Sequence, residues 1–305
     1  MDTERIQEYL EAIYKRQDEG GPVSTSALAE DLKVSQPAVT DMLRSLESKG
    51  LIDYRPGRGA TLTGQGNEKA LEVIRRHRLW ERFLVDVLGM EWDKVHEQAC
   101  LLEHVTSPEM EERMAALLGN VDTCPHGHSL PDKNGRIKKE SEVMALSEFN
   151  PGQKLYIQAI AREDPVLLQK INGLGLQPYS VISILKQDNN GGMEIEAAGE
   201  QIRLDAGMAA ALLARPYSSE EAAAAAETPL TSLKPGQTGI IRNCEGGKGR
   251  QGRCLSLGFT PGTSLKMLEN FNHGPVLVKL HDTEVALGRE MAEHVIVVRE
   301  EAECR

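Results

Sequence analysis

What most restricts the fold of this chain is that part of its second half is written twice. FNPGQKLYIQAI (149–160) pairs with LKPGQTGIIRNC (233–244), and LGLQPYSVISIL (174–185) pairs with LGFTPGTSLKML (257–268). In each copy a Pro-Gly turn opens a strand-like run. A short helical stretch then leads to Leu-Gly-Leu or Leu-Gly-Phe, and a proline turn precedes a second strand-like run. A strand-turn-strand unit of this size suits a small, partly open β-barrel, and its repetition points to duplication. Two barrels are therefore expected, at 143–217 and 228–305, with SSEEAAAAAE at 218–227 read first as a spacer and second as a short helix.

The remainder differs in kind. The chain up to about Asn67 alternates short helical patterns with polar turns and ends in a strand-like stretch. From Glu68 to about Val121 it is strongly helical by periodicity, as in RRHRLWERFLVDVLG and WDKVHEQACLLEHV, with Gly89 and Ser107-Pro108 as stops, so that domains at 1–72 and 73–142 are expected. The 305-residue chain carries a formal net charge of −11, which argues against coating nucleic acid or an anionic membrane through bulk charge, so any basic face must be local. The amino-terminal MDTERIQEYLEAIYK has no apolar signal core, and no window reaches the apolar length needed to cross a bilayer. A cytoplasmic protein without membrane contact is expected. Five cysteines, Cys100, Cys124, Cys244, Cys254 and Cys304, make an odd number spread over a long chain, which argues against a secreted disulfide framework, so reduced thiols and thiolate ligands are expected.

Residues 24–50 read as a helix-turn-helix. Ser24 is placed to cap a helix running through Asp31; Leu32, Val34 and Val39 are spaced to pack it against a second helix capped by Ser35. That second helix presents Gln36, Pro37, Thr40, Asp41 and Arg44 near its start, polar or guanidinium groups able to reach base edges. LIDYRPGRGATLT then reads as a β-hairpin with Arg55 and Arg58 at a Pro-Gly tip suited to phosphate or minor-groove contact, which completes a winged helix. Lys33, Lys49 and Lys69 extend the local positive patch. The competing reading is three helices packed for structural reasons alone.

Metal-ligand residue types recur at helical spacing. His77 and Glu81 stand four apart, as do His96 and Cys100, and Glu103 and His104 follow, so one helix face can present Cys100, Glu103 and His104 to a single small object such as a metal ion. Singly, a histidine on a helix is an ordinary hydrogen-bonded core group and a glutamate an ordinary solvated one. Six such residues on two neighbouring helices favour a metal. TCPHGHSLP adds Cys124 and His126 in a turn just after the helical region.

With EYLEAIY, HRLWERFL, KVHEQACLLEH and the CPHG turn in view, the chain resembles the metal-dependent repressors related to diphtheria toxin repressor, including iron- and manganese-dependent regulators. The resemblance covers residues 1–216, and the repeats are similar to the SH3-like FeoA-type domain, present once in many members and twice here. It implies an α+β multidomain protein: a winged helix-turn-helix, a helical dimerisation and metal-binding domain, and two SH3-like β-barrels. Carried over by position, it implies a primary site of Glu8, Cys100, Glu103 and His104, with Glu11 as an additional carboxylate of manganese-type members. It implies an ancillary site of His77, Glu81 and His96, with Cys124 and His126 from the CPH turn and Asp164 as the best match for a carboxylate of the first barrel, Glu163 being its neighbour. Glu8 stands where iron-type members commonly have methionine, Leu167 stands where an amide ligand is usual, and Asp41 replaces a glutamine of the recognition helix.

A thiolate at Cys100 favours iron over manganese, whereas Glu8 and Glu11 are hard oxygen donors that suit manganese and also accept iron. The expected cofactor is Fe2+, with Mn2+ as the alternative, at two ions per subunit. The expected partners are double-stranded operator DNA and a second copy of the chain, joined through apolar residues around Leu79, Phe83, Leu84, Val87 and Leu88, with no small-molecule substrate. A metalloenzyme is disfavoured because HExxH and nucleophile motifs are lacking and the donor sets leave no clear open position. A metal-buffering or transport-accessory protein suits the FeoA-type repeats but has no need of a winged helix.

Overall fold

The computed structural model describes residues 3–17, 20–118, 121–137, 143–217, 228–245, 248–271, 273–280 and 283–299. The expected spacer at 218–227 and Cys304 lie outside the described residues. The chain is α+β and divides into two compact units. The first comprises Met1–His77, Cys100–Thr106 and Pro131–Ile137; the second comprises Arg78–Ala99, Ser107–Leu130 and Lys138–Arg305.

The first unit opens with helix α1 (Thr3–Gln17), whose Tyr9, Leu10 and Ile13 are buried. Helix α2 (Thr25–Asp31) and helix α3 (Gln36–Ser48) follow. Ser24 Oγ accepts from Ala27 N at 3.1 Å and Ser35 Oγ from Ala38 N at 3.5 Å, so both expected caps form, with Pro37 in the first turn of α3 where its missing N–H is harmless. Leu28, Val39, Leu43 and Leu46 form the buried seam, with Leu32 and Val34 packed against it. Strands β1 (Ile52–Arg55) and β2 (Gly59–Leu62) pair antiparallel, and Val23 bonds across to Ala60, completing the wing. Gly59 is required there: its φ is +104°, and a Cβ would lie 2.5 Å from the Val23 carbonyl oxygen. Helix α4 (Gly64–Asp86) begins in this unit.

In the second unit lie helix α6 (Pro108–Leu118) and two six-stranded sheets; helix α5 (His96–Leu102), like α4, spans the division between the units. The first barrel contains β3 (Met144–Ala145), β4 (Lys154–Ile160), helix α7 (Pro165–Gly173), β5 (Val181–Gln187), β6 (Met193–Ala197), β7 (Glu200–Leu204), helix α8 (Ala206–Ala211) and β8 (Leu212–Pro216). The second contains β9 (Thr228–Pro229), β10 (Thr238–Cys244), helix α9 (Lys248–Ser256), β11 (Ser264–Glu269), β12 (Val276–Leu280), β13 (Thr283–Leu287), helix α10 (Arg289–His294) and β14 (Val295–Arg299).

Their strand orders, β3-β8-β4-β5-β6-β7 and β9-β14-β10-β11-β12-β13, are the same topology. The repeat extends to detail: β4 is irregular between Ile157 and Ala159 and β10 at the matching Ile241 and Asn243. The Pro-Gly turns are closed alike, Gln153 accepting from Asn150 N at 2.6 Å and Gln237 from Lys234 N at 2.7 Å.

Two expectations change here. Cys244 and Cys254 are joined as a disulfide, because β10 and α9 bring their Cα atoms to 6.7 Å in the core of the second barrel, while Cys100 and Cys124 form no disulfide. Leu79 and Leu84 are buried within the second unit, so of the residues expected at a dimer face only Phe83, Val87 and Leu88 retain exposure. Among the described residues no helix is long and apolar enough to cross a membrane.

Candidate metal centre

In the first unit the donors come from α1, from the midpoint of α4 and from the segment Cys100–Thr106. Helix α5 stops at Leu102, so Glu103 and His104 are aimed by a turn and not, as their spacing suggests, by a helix face. The Thr106 hydroxyl donates to the Leu102 carbonyl at 2.7 Å, and β-branched Val105 and Thr106 followed by Ser107-Pro108 disfavour another helical turn. Glu103 is buried and uses both oxygens: Oε2 lies 2.6 Å from His77 Nδ1 and Oε1 3.2 Å from His104 Nε2. Cys100 Sγ lies 4.0 Å from His77 Nδ1, and His104 Nδ1 3.0 Å from Gln7 Oε1.

Two donor groups result, each with ligand atoms within 4.8 Å of one another: buried Glu11, His77 and Glu103, and the more open Glu4, Glu8 and His104. The expected primary set is thus divided, with Glu103 as the link, and His77, expected at the ancillary site, pairs with Glu103. Burial pushes the Glu103 carboxyl up to about 8, with the Glu11 carboxylate adding to it. Burial also acts to raise Glu11, but Lys15, 3.0 Å away, and His77 outweigh it and hold that carboxyl below its usual value.

The second unit holds another cluster. Glu81, Cys124, His126 and Glu163 bring their ligand atoms within 4.8 Å of one another. His126 Nδ1 is 3.0 Å from Glu81 Oε1 and 3.5 Å from Glu163 Oε1, and His96 Nδ1 is 3.0 Å from Glu163 Oε2 and 3.4 Å from Glu81 Oε1. Sequence reasoning preferred Asp164 to Glu163. Asp164 is exposed and caps α7, accepting from Leu167 N at 3.0 Å, a role set by Pro165 in the first helical turn. The preceding residue, Glu163, supplies the carboxylate instead. Also unforeseen were Glu4 and Gln7 near His104, and His128, whose Nε2 is 3.7 Å from Glu163 and 2.9 Å from the Ile160 carbonyl. The second histidine of CPHGH was the available signal for the last. Burial drives His128 down to about 4 and pushes the Cys124 thiol up.

This donor set fits a divalent cation. His126 donates from Nε2 to the Trp92 carbonyl at 3.0 Å, which leaves the Nδ1 lone pair turned toward the carboxylates. That Nδ1 is fully buried and makes no hydrogen bond of acceptable geometry. Burial opposes charge on the ring, yet Glu81, then Cys124 and Glu163, outweigh it and raise its pKa well above normal, so the cluster attracts positive charge. Two carboxylates, imidazoles and a thiol supply hard and soft donors together.

On the first unit's opposite chemistry, Ser35, Gln36, Pro37, Asp41 and Arg44 of α3 are exposed, as are Arg55 and Arg58 of the wing. Thr40 is half-buried, its hydroxyl donating to the Gln36 carbonyl at 3.0 Å.

A winged helix with clusters of metal-ligand residue types and two small barrels points to a metal-regulated DNA-binding protein. Residues 1–60 match the iron dependent repressor N-terminal DNA binding domain, residues 63–132 the iron dependent repressor metal binding and dimerisation domain, and residues 144–216 and 228–299 each the FeoA domain. The chain is 31% identical over 191 residues to the diphtheria toxin repressor of Corynebacterium diphtheriae, covering 62% of this chain and 81% of that protein. It is 27% identical to the diphtheria toxin repressor of Corynebacterium jeikeium, covering 65% of this chain and 95% of that one. Among solved structures it is similar to a manganese-dependent transcriptional repressor in complex with manganese, with a TM-score of 0.65, 31% identity, and coverage of 70% of this chain and all (100%) of the other. The chain belongs to the iron-dependent, diphtheria toxin repressor family of metal-dependent transcriptional repressors, which are DNA-binding proteins and not enzymes.

Proposed function

We propose that this chain is a ferrous-iron-responsive repressor that binds palindromic operator DNA as a homodimer in the cytoplasm and controls metal-uptake genes, with two ions per subunit. The observation that carries the reading is the buried Glu81–Cys124–His126–Glu163 cluster, with an imidazole nitrogen that lacks a hydrogen bond. His96 joins these four at the ancillary site. The primary site draws on Glu103, Cys100 and His104, with Glu8 or Glu11 from α1 and His77 beside them.

A bound divalent ion supplies the positive charge that buried carboxylates and a thiolate need to remain ionised together. Glu8 and Glu11 sit on the helix that packs against α2, while Cys100, Glu103 and His104 sit on the 100–106 segment. Donors from both elements therefore fix α1, and with it the attitude of α3 and the wing. A ligand at about a hundred times its dissociation constant favours the competent conformation by roughly 2.7 kcal/mol, enough to shift a poised equilibrium. In a dimer, two α3 helices reach major grooves one helical turn apart; exposed Val87 and Leu88 with Phe83 are the candidate contact.

Two thiols, Cys100 and Cys124, favour iron. The manganese-bound relative and the hard donors Glu8 and Glu11 favour the second reading, a manganese-responsive regulator. Anaerobic operator titrations with iron, manganese, cobalt and zinc in parallel separate them: half-saturation by Fe2+ at lower free concentration than by Mn2+ is expected, and the reverse order selects manganese.

A further inference from the structure

The function of the second FeoA repeat is the open question of this architecture, and its contacts within the second unit supply an answer. Its turn Thr260–Thr263 grips α4 through a side chain buried in full. Arg82 Nε lies 2.7 Å from Asp86 Oδ2, Arg82 Nη1 donates to the Pro261 carbonyl at 3.0 Å, Arg82 Nη2 donates to Thr263 Oγ1, and Thr260 Oγ1 donates to Asp86 Oδ1. The two threonine hydroxyls lie 2.7 Å apart. Arg82 directly follows Glu81, a donor of the second cluster.

The same turn meets the other side of that cluster. A Cβ on Gly262, whose φ is +84°, would lie 3.2 Å from Thr123 Oγ1 and 3.3 Å from Tyr179 Cε2. Thr123 Oγ1 is 2.6 Å from the Tyr179 hydroxyl, and Arg242 of the second repeat stands over the Tyr179 ring at 5.4 Å. Thr123 directly precedes Cys124. Tyr179 and Gly262 are matching positions of the two repeats, in LGLQPYS and LGFTPGT, so the duplicated turns meet each other at the residue before the thiol. Two donors of one cluster, Glu81 and Cys124, thus each adjoin a residue held by the second repeat.

We propose that the second FeoA repeat positions the metal centre, its Thr260–Thr263 turn fixing Arg82 and Thr123 so that Glu81 and Cys124 are held in ligating geometry. This rests on the reading of that cluster as a metal site. Ligand atoms must stay in place within a few tenths of an ångström, and outer groups that orient ligands change affinity by about 10- to 100-fold when removed. Thr263 and Gly262 touch no ligand atom; they act through Arg82 and Thr123 as positioning residues.

The test uses the full chain carrying Cys100→Ser and Cys304→Ser, so that, with Cys244 and Cys254 bonded to each other, a thiolate-to-cobalt charge-transfer band reports Cys124 alone during Co2+ titration. Thr263→Val should weaken Co2+ binding by about 10-fold or more and shift the band, Thr263→Ser should restore affinity to within about 3-fold, and Gly262→Val should weaken it further. Should Gly262→Val not fold, the Thr263 pair decides. Parental affinity and an unchanged band in Thr263→Val overturn the positioning role. No thiolate band in the doubly substituted parent overturns the metal reading of the cluster, and the proposal with it.

Discussion

His126 Nδ1 lies 3.0 Å from Glu81 Oε1, with both side chains fully buried and the imidazole tethered on its other nitrogen by the Trp92 carbonyl. A neutral ring in that tautomer faces its lone pair toward carboxylate oxygens, an arrangement stable only with positive charge between them. A proton can serve in the metal-free protein, and on the reading proposed above a divalent ion would serve in the loaded one. Glu81 lies on α4, His126 on the CPHGH turn and Glu163 on the first barrel, so an ion bound there would join three separate elements.

Removing the ring should leave buried Glu81 and half-buried Glu163 facing each other with the His96 ring between them. His126→Ala is therefore expected to destabilise the metal-free protein by about 3 kcal/mol, measured by urea unfolding in the presence of a chelator. A change under about 0.5 kcal/mol would mean that Glu81 and Glu163 are solvated or already neutral.

Protons should compete with metal at the first unit's cluster. Glu103, pushed up to about 8 by burial and by Glu11, is protonated near neutral pH, and a ligating carboxylate must give that proton up. Affinity should rise roughly tenfold per pH unit up to about 8 and then level, with about one proton released per ion near pH 7 in calorimetry; Glu103→Gln should lose that release. The folded form holds the proton more tightly than the unfolded chain, so the metal-free fold loses stability as pH rises from about 4.5 toward about 8. Metal affinity flat across that range would remove Glu103 from the ligand set.

The helix-turn-helix was legible because its determinants are local: Ser24 and Ser35 cap through bonds to residues three positions on, and the hairpin turn is set by Pro-Gly. The repeat was legible because the Pro-Gly-Gln and Leu-Gly turns recur at matching positions, and the strand order repeats with them, down to matching irregularities in β4 and β10. Ligand types were legible, and so was the association of Glu81 and His96 with Cys124 and His126; the pairing of His77 with Glu103 and the choice of Glu163 were not. Helical spacing said nothing of the Thr106 bond that ends α5 at Leu102, and position alone did not distinguish Glu163 from Asp164, whose side chain is committed to capping. The Arg82–Thr263 contact spans 181 positions and leaves no local signal. The Cys244–Cys254 bond depends on how β10 and α9 approach each other, which cysteine number and spacing do not encode.

DNA contact should follow exposure. Arg58→Ala at the wing tip is expected to weaken binding about equally across sequences and to lower the salt slope by about 1, as for a lost phosphate contact. Arg44→Ala on α3 should instead cost about 1–3 kcal/mol and relax preference at particular base pairs. Fluorescence anisotropy over a range of salt, on matched and mismatched duplexes, distinguishes the two; binding insensitive to both changes would place the DNA elsewhere.

Whether the buried donors of this chain hold divalent ions is decided by an anomalous difference map recorded at the iron edge on crystals of the Fe2+-loaded protein. One peak bonded by Glu81, Cys124, His126 and Glu163, and a second bonded by Glu103 with Cys100 or His104 and a carboxylate of α1, is the predicted result. Fully loaded protein whose map shows no iron within bonding distance of His126 or Glu103 would show that these donors hold none.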